Sequence, residues 1–424
     1  MRTGTPTVPA KRLLQPALAS SGLIKGQASD TSAPGLVPAF SASGQDVWVP
    51  STVRHETRPG IVLSAVGAQC GKVFFANYSE WSTVANTYAW TFSNISYPKF
   101  VWYLLSTDNF WDKGGAAQPY VKIPESLNKH VFCPVWDDQK KIADYLDHET
   151  AEIDAFIEDL RVAADLRVER WRSTRDQALT FGIEQDPASK TRPVTWFGEH
   201  RADWRNGPLK RLFKITLGKM LDEKQHADSD ERQPYIRAGN IREDGLDLDN
   251  LNSMPFSREE QAKFSLRKSD ILVVEGGSVG TNVVLDEDLP HVFFQKTVNR
   301  MRPFIQCSSH YYSDVLNSYK DRGVFDVVAN KSTIQHLTAD KLENLLVPIP
   351  PVEEQCLIAE SLSQARREIS ELGDEVTRAI HLARERRAAL ITAAVTGQID
   401  VTARNKPAAE QLEDDIAQGL HKES

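Results

Sequence analysis

Residues 138–178 contain no glycine or proline, and Ile142, Leu146, Ile153, Phe156, Leu160 and Ala163 recur within them at steps near three and four. That period gathers the apolar groups on one side of a helix and leaves charge on the other. It predicts a long amphipathic helix with a coiled-coil-like seam. A second stretch is built alike. Ile358, Leu362, Ile369, Leu372, Val376, Ile380, Ala383, Leu390 and Ala394 predict a helix that starts after Pro350-Pro351 and stops near Gly397. The two stretches are also copies in register: Trp136-Asp137-Asp138-Gln139 returns as Val352-Glu353-Glu354-Gln355, and Ile142 and Ile358, Ile153 and Ile369, Arg170 and Arg386, and Thr180 and Thr396 all lie 216 positions apart. A register without gaps over that span points to duplicated structural units.

A helix of roughly 40 residues is about 60 Å long. One that long with an apolar stripe needs a partner, and the nearest candidate is its own copy. The expected pairing face sets Ile142, Leu146, Ile153, Phe156 and Leu160 against Ile358, Leu362, Ile369, Leu372 and Val376. Packed antiparallel, the pair would hold a globular domain at each end, a fixed distance apart.

The segments around the helices alternate differently. Gly60-Ile61-Val62-Leu63-Ser64-Ala65-Val66 and Lys72-Val73-Phe74-Phe75-Ala76 read as strands separated by glycine turns, and helical spacing surfaces around Phe100 to Leu105. Between the long helices, Asp270-Ile271-Leu272-Val273-Val274 and Asn282-Val283-Val284-Leu285 flank another glycine turn, and Leu345 to Pro351 leads extended into the second helix. The expected fold class is α+β: two mixed domains alternating with two long helices that pair as an antiparallel coiled coil, an internal pseudo-two-fold repeat. The boundaries read as domain 1–136, central helix 137–186, domain 187–351, distal helix 352–400 and polar tail 401–424.

Composition fits this plan. With 424 residues, 41% of them hydrophobic and 25% charged, there is apolar material for two cores. No apolar run approaches the roughly 18 to 20 residues that cross a bilayer, and no signal-peptide core opens the chain, so the reading is cytoplasmic. Cys70, Cys133, Cys307 and Cys356 are too scattered for a metal knuckle or a disulfide framework; they read as buried reduced thiols, and no metal site is expected.

A net charge of −8 argues against a nucleic-acid partner until its distribution is read. Residues 137–184 carry 13 acidic and 7 basic groups, a balance of −6, whereas residues 191–219 carry 7 basic groups against Glu199 and Asp203, a balance of +5. An acidic scaffold bearing basic reading domains satisfies both numbers.

Catalytic motifs are missing. Gly67-Ala68-Gln69-Cys70-Gly71-Lys72-Val73 has three residues between its glycines, and Val73 after the lysine, where a phosphate loop needs four and a hydroxyl. Gly276-Gly277-Ser278-Val279-Gly280 lacks the lysine altogether. Each reads as a tight turn between strands, or as a turn that brings backbone close to DNA. Nor is there an Asn-Pro-Pro-Tyr or Asp-Pro-Pro-Tyr segment for a flipped base; Pro348-Ile349-Pro350-Pro351 has no amide or carboxylate. The DNA-reading candidates are Arg54, Lys72, Arg201, Arg205, Arg237, Asn240, Arg242, Arg300 and Arg302, because arginine forks suit guanine or phosphate and asparagine suits adenine. Any one of them taken alone reads first as a surface cation, and as a set they are more persuasive. Ser41-Ala42-Ser43-Gly44-Gln45 either faces a groove or merely connects strands.

Several of these segments together resemble the specificity subunit of type I restriction-modification systems. Asp138-Gln139-Lys140-Lys141-Ile142-Ala143-Asp144-Tyr145-Leu146, followed by Thr150-Ala151-Glu152-Ile153-Asp154, is similar to the family's central helix. Residues 385–400, with Thr392-Ala393-Ala394-Val395-Thr396-Gly397-Gln398-Ile399-Asp400, resemble the end of its distal helix, and Trp196-Phe197-Gly198-Glu199-His200-Arg201-Ala202-Asp203-Trp204 resembles the opening of its second target-recognition domain. The resemblance implies a non-catalytic subunit whose two recognition domains each read half of a bipartite DNA site, with paired helices setting the spacer. It implies two modification subunits, which bind S-adenosylmethionine and methylate adenine, docked on the helices, and restriction subunits that use ATP and magnesium; no cofactor is expected in this chain. The recognition domains share little sequence, so the site should be asymmetric. Two departures bear on the first helix: it ends Ala178-Leu179-Thr180-Phe181-Gly182 where the second has Ala394-Val395-Thr396-Gly397-Gln398, and Trp136 stands opposite the proline-led start of the copy. Rival readings are a stand-alone nuclease or methyltransferase, a coiled-coil scaffold without nucleic acid, and the specificity or scaffold chain of a related defence system with a different effector.

Overall fold

The computed structural model describes residues 6–183, 190–194, 196, 198–221, 231–242, 245–328 and 336–401, so Phe197 and the polar tail beyond Val401 lie outside the described residues. The chain forms two compact units, one made of Met1–Arg161 with Val376–Ser424 and the other of Val162–Glu375. The fold is mixed α/β with long helices, at Trp136–Phe181 and Val352–Val395. Each helix gives one of its halves to each unit.

In the first unit, Gly60–Ser64 is the middle strand of an antiparallel sheet between Val73–Ala76 and Thr87–Thr91. A second sheet centres on Leu36–Ser41, antiparallel to Gly44–Pro50 and parallel to Ser82–Thr83. Glycine is obligatory at position 60, where a Cβ would lie 2.5 Å from the Trp81 ring and 2.7 Å from the Trp90 carbonyl. Helix Pro98–Leu105, opened by its proline, packs Phe100, Val101, Leu104 and Leu105 onto Ile61, Leu63 and Trp90. The same core takes Ile142, Ala143 and Leu146 from the first long helix and Ile391, Ala394 and Val395 from the second. Burying a side chain of this size is worth about 1.5–3 kcal/mol, so both helix ends are strongly held. Arg387 pairs with Asp154 at 3.1 Å along the same contact.

In the second unit the sheet order is Phe213–Leu217, Val298–Pro303, Ile271–Val274, Asn282–Val284, all antiparallel. Beside it Glu231–Ile236 runs antiparallel to Asn252–Phe256 and parallel to Phe293–Phe294. Both faces of the larger sheet are covered: Ile271, Val273 and Met301 enter one core with Tyr311, Tyr312 and Leu316 of helix Ser309–Asp321, and Leu272, Val274 and Val298 enter another with Phe256, Phe264 and Phe294. Ala178, Leu179, Ile358 and Leu362 of the long helices join the first of these cores.

The first helix begins two residues before residue 138 and continues to Phe181, then leaves through Gly182 at φ +82°. The second leaves through Gly397 at φ +70°, where Gln398 N–H reaches the Ala393 carbonyl at 2.9 Å and closes the helix end. The two exits therefore both use a left-handed glycine, despite the sequence departure there.

The expected pairing face needs one correction. Phe156 is 52% exposed and the buried residue is its neighbour Ile157 at 6%. Adjacent helical positions point about 100° apart, and the face set by Leu146, Thr150 and Ile153 arrives at 157, one step of four further on. Ile142, Leu146, Ile358 and Leu362 are buried, whereas Ile153, Leu160, Ile369, Leu372 and Val376 are half-buried. The cysteines are all free, but only Cys70 is buried; Cys133 and Cys307 are intermediate and Cys356 is exposed. Among the described residues no helix is long and apolar enough to cross a membrane.

Candidate nucleic-acid interface

The second unit separates its candidate cations by what they already bind. Arg201 pairs with Glu354 at 2.6 Å and with Asp203 at 2.6 Å, and its guanidinium lies 5.4 Å from the Trp204 ring. Trp204 is buried and donates its indole N–H to the same Glu354. Arg201 therefore fastens the domain opening to the start of the second helix and is not offered to DNA. Arg300 is 3% exposed; its guanidinium donates to the carbonyls of Lys263 and Ser265 and lies 5.4 Å from the Phe294 ring. Burial, then the neighbouring Arg302, depress its pKa to about 10. Arg302 forks onto Asp270, whose side chain is fully buried, at 2.6 and 2.7 Å. Asn240 is 3% exposed and spends its amide on a local turn, accepting from Arg237 N–H and donating to the Asp247 carbonyl.

Arg300, Arg302, Arg201 and Asn240 are thus engaged inside the unit and not presented as readers, although the buried Arg300 Nε has no hydrogen-bond partner among the described residues. Arg205 and Arg237 stay exposed, without a side-chain partner among the described residues. Arg242 is exposed and pairs with Asp247 at 2.6 Å. Surface pairs of that kind are worth at most about 1 kcal/mol, so the guanidinium is available to a phosphate.

In the first unit Arg54 and Lys72 are both exposed. The glycine segment before Lys72 is a tight turn: Cys70 N–H bonds Gly67 C=O, Gly71 N–H bonds Ser64 C=O, and Gly67 and Gly71 both sit at φ +93°. Its counterpart needs glycine for packing, since a Cβ on Gly280 would lie 2.2 Å from the Phe325 ring. The Ser41 to Gln45 loop connects strands, with Ser41 opposite Gly44 in a hairpin.

Sequence reasoning missed a small hairpin, Lys113–Gly114 paired with Tyr120–Val121, whose strands are too short for a period to show. Its Gly114-Gly115 pair and Pro119 were the available signal. Lys113, Gln118, Tyr120 and Lys122 on it are exposed.

Other concave or ligating features are slight. A cavity of about 100 Å³ lies between Leu18, Arg54, His55, Glu56 and Trp81, well below the few hundred Å³ of ordinary ligand sites. On its rim, hydrogen bonds from Arg58 hold the Glu56 carboxyl down at about 2. His148, Glu149 and Glu152 bring potential ligand atoms within 4.8 Å of one another on the first long helix.

Residues 201–377 match the family model described as type I restriction modification DNA specificity domain. A putative type I restriction enzyme MjaX specificity subunit of Methanocaldococcus jannaschii is 26% identical over 181 residues, covering 40% of this chain and 41% of that protein. The StySPI specificity subunit of Salmonella potsdam is 22% identical over 208 residues, covering 48% and 44%. The match thus spans less than half the length of either relative. In fold, the chain is similar to a chain from a structure of a type I R-M system, with TM-score 0.63 and 14% identity over 93% of this chain and 98% of that one. It is also similar to the HsdS subunit of Thermoanaerobacter tengcongensis, with TM-score 0.50 and 16% identity over 94% and 98%. The resemblance to type I restriction-modification specificity subunits is borne out to this extent: residues 201–377 match the model of their DNA specificity domain.

Proposed function

We propose that the chain is the DNA sequence-specificity subunit of a type I restriction-modification complex and has no catalysis of its own. The observation that carries this reading is the family match at residues 201–377, which falls over most of the second unit. Each unit reads one half of a bipartite, asymmetric site, with 1–136 and 187–351 as the recognition domains. The long helices pair antiparallel as a coiled coil and set the spacer between the halves. In support, the first unit buries the start of the first helix with the end of the second, and the second unit buries the reverse combination. The similar sheet orders of the two units support an internal repeat.

Two modification subunits, carrying S-adenosylmethionine, dock on the helices, and restriction subunits using ATP and magnesium can join them in the cytoplasm. Val162 and Leu166, four positions apart on one face of the first helix and exposed at 49% and 59%, support such docking. The test is genome-wide adenine methylation in the host with and without this gene. Loss of one split, asymmetric motif is the expected result. A methylation pattern that does not change favours the alternative, a specificity or scaffold subunit of a related DNA-modification or defence system with a different effector.

A further inference from the structure

The hairpin at residues 113–122 is a polar, cationic projection on a rigid base. Trp111 on one side and Val121 on the other are 5% and 7% exposed and lie in the unit's main core. Val121 N–H donates to Ala65 C=O at 2.9 Å, Lys122 N–H to Asp112 C=O at 2.7 Å, and Gly67 N–H to Pro119 C=O at 2.8 Å. These bonds fix the hairpin to the glycine turn that carries Lys72. Between its strands the chain is Gly115-Ala116-Ala117-Gln118-Pro119, and every position but the proline is exposed. The turn admits only glycine at 115: φ is +80°, and a Cβ would lie 2.4 Å from the Gln118 carbonyl.

Charge is placed on both faces of this ribbon. Lys113 is opposite Val121 in the register and shares its face, with Nζ 3.1 Å from the point a Gly71 Cβ would occupy. Gly114 and Tyr120 share the other face, where the Lys122 Cε lies 3.2 Å from the corresponding point on Gly114. Lys72, Lys113 and Lys122 have no ion-pair partner among the described residues, unlike Lys25, Lys99 and Lys129 of the same unit, which pair with Asp46, Asp147 and Asp112. The amide of Gln118 is also without a hydrogen-bond partner among the described residues.

A major groove about 12 Å wide admits a two-stranded ribbon, and its walls are phosphates on both sides. A glutamine amide matches the N6 and N7 edge of adenine, and an alanine methyl suits the thymine methyl beside it. We propose that this hairpin is the groove-reading element of the first unit: Gln118 at its tip reads an adenine, and Lys113, Lys122 and Lys72 hold the flanking phosphates. The assignment rests on the DNA-specificity reading above and supplies the residues by which one half-site is read.

The experiment uses the full chain, tagged and purified from its host with the subunits that accompany it, and selection from a randomised duplex library. The wild type is expected to select one split motif. Gln118→Ala is expected to relax one position in one half of that motif by roughly tenfold or more and to leave the other half intact. Lys113→Gln with Lys122→Gln is expected to weaken binding on all sequences alike and to lower the slope of log affinity against log salt by about 1.8, or about 0.9 per phosphate lost. A wild-type motif kept unchanged by both variants, with an unchanged salt slope, overturns the hairpin assignment alone. Lysine variants that lose their accompanying subunits while keeping motif and slope make the hairpin a protein contact, which also overturns it. A wild type that selects no motif removes the DNA-specificity reading, and the hairpin assignment with it.

Discussion

Gln139 and Gln355, 216 positions apart, make the same hydrogen bonds in their respective units. Each accepts from the backbone N–H that precedes a shorter helix, Tyr97 before Pro98–Leu105 and Ser308 before Ser309–Asp321, at 2.8 and 2.9 Å. Each donates to the proline carbonyl five residues behind it, Pro134 and Pro350, at 2.9 Å. Their exposures are 0% and 1%, so neither bond has water as a substitute. A side chain that looks like solvated helix surface in the sequence is the fastener between a long helix and its domain.

Replacing either glutamine by alanine removes the partner of a part-buried N–H and of a proline carbonyl, at up to about 1–3 kcal/mol each. Gln355→Ala is expected to lower the melting temperature of the second unit, and Gln139→Ala that of the first. Proteolysis during a thermal ramp, with fragments mapped by mass spectrometry, distinguishes the two. Equal loss in both units from one substitution would contradict the local assignment.

Arg366 contacts Asp314, whose side chain is 3% exposed, and lies 5.8 Å from the Trp171 ring. Burial raises the Asp314 carboxyl above its ordinary value, while Arg366 pulls it down. Arg366→Ala leaves a buried charge unpaired, at a cost of about 3–5 kcal/mol near neutral pH. Its sign with pH follows from the raised folded-state value: stability is retained below the unfolded carboxyl pKa near 4 and lost as pH rises through the folded one. The melting deficit of Arg366→Ala against wild type should therefore grow from pH 4 to pH 7. A deficit that is flat over this range would refute the buried-charge account, and adding Asp314→Asn should shrink it at pH 7.

Arg300 and Arg237 should behave as opposites. Arg300→Met removes a donor from buried carbonyls and is expected to cost about 1–3 kcal/mol of stability, with the salt dependence of DNA binding unchanged. Arg237→Gln should leave the unfolding free energy within about 0.5 kcal/mol of wild type and lower the salt slope by about 0.9. Thermal melts and salt titrations of both variants are the check, and exchanged behaviour would reverse the two assignments.

If the helices act as a ruler, seven residues inserted in each, in register, lengthen the pair by about 10 Å. That is about three base pairs of duplex at 3.4 Å each. Motif selection with such a variant should return the same half-sites with a longer spacer. An unchanged spacer would end the ruler reading while leaving half-site recognition intact.

The sequence disclosed the long helices because they depend on local rules: no glycine or proline, an apolar period near 3.6, and glycine at Gly182 and Gly397 to stop them. The strand at 271–274 was legible as an apolar run for the same kind of reason. Arg300 was misread because Val298–Pro303 is a strand covered on both faces, and its basic residues look like surface until the second core, around Phe294, is known. Phe156 was misplaced because a fixed step of three or four drifts by one position over several turns. The 113–122 hairpin escaped because strands of two residues carry no period; only its fixed attachment to the glycine turn makes it an element.

The core of the first unit has a consequence for how the molecule is made. Ile391, Ala394, Val395 and Val401 complete a hydrophobic cluster that otherwise comes from residues 10–146. A ribosome delivers those four side chains only after the whole of Val162–Glu375 has emerged. The core of the first domain to be synthesised is therefore completed last, whereas every segment of the second unit is available earlier.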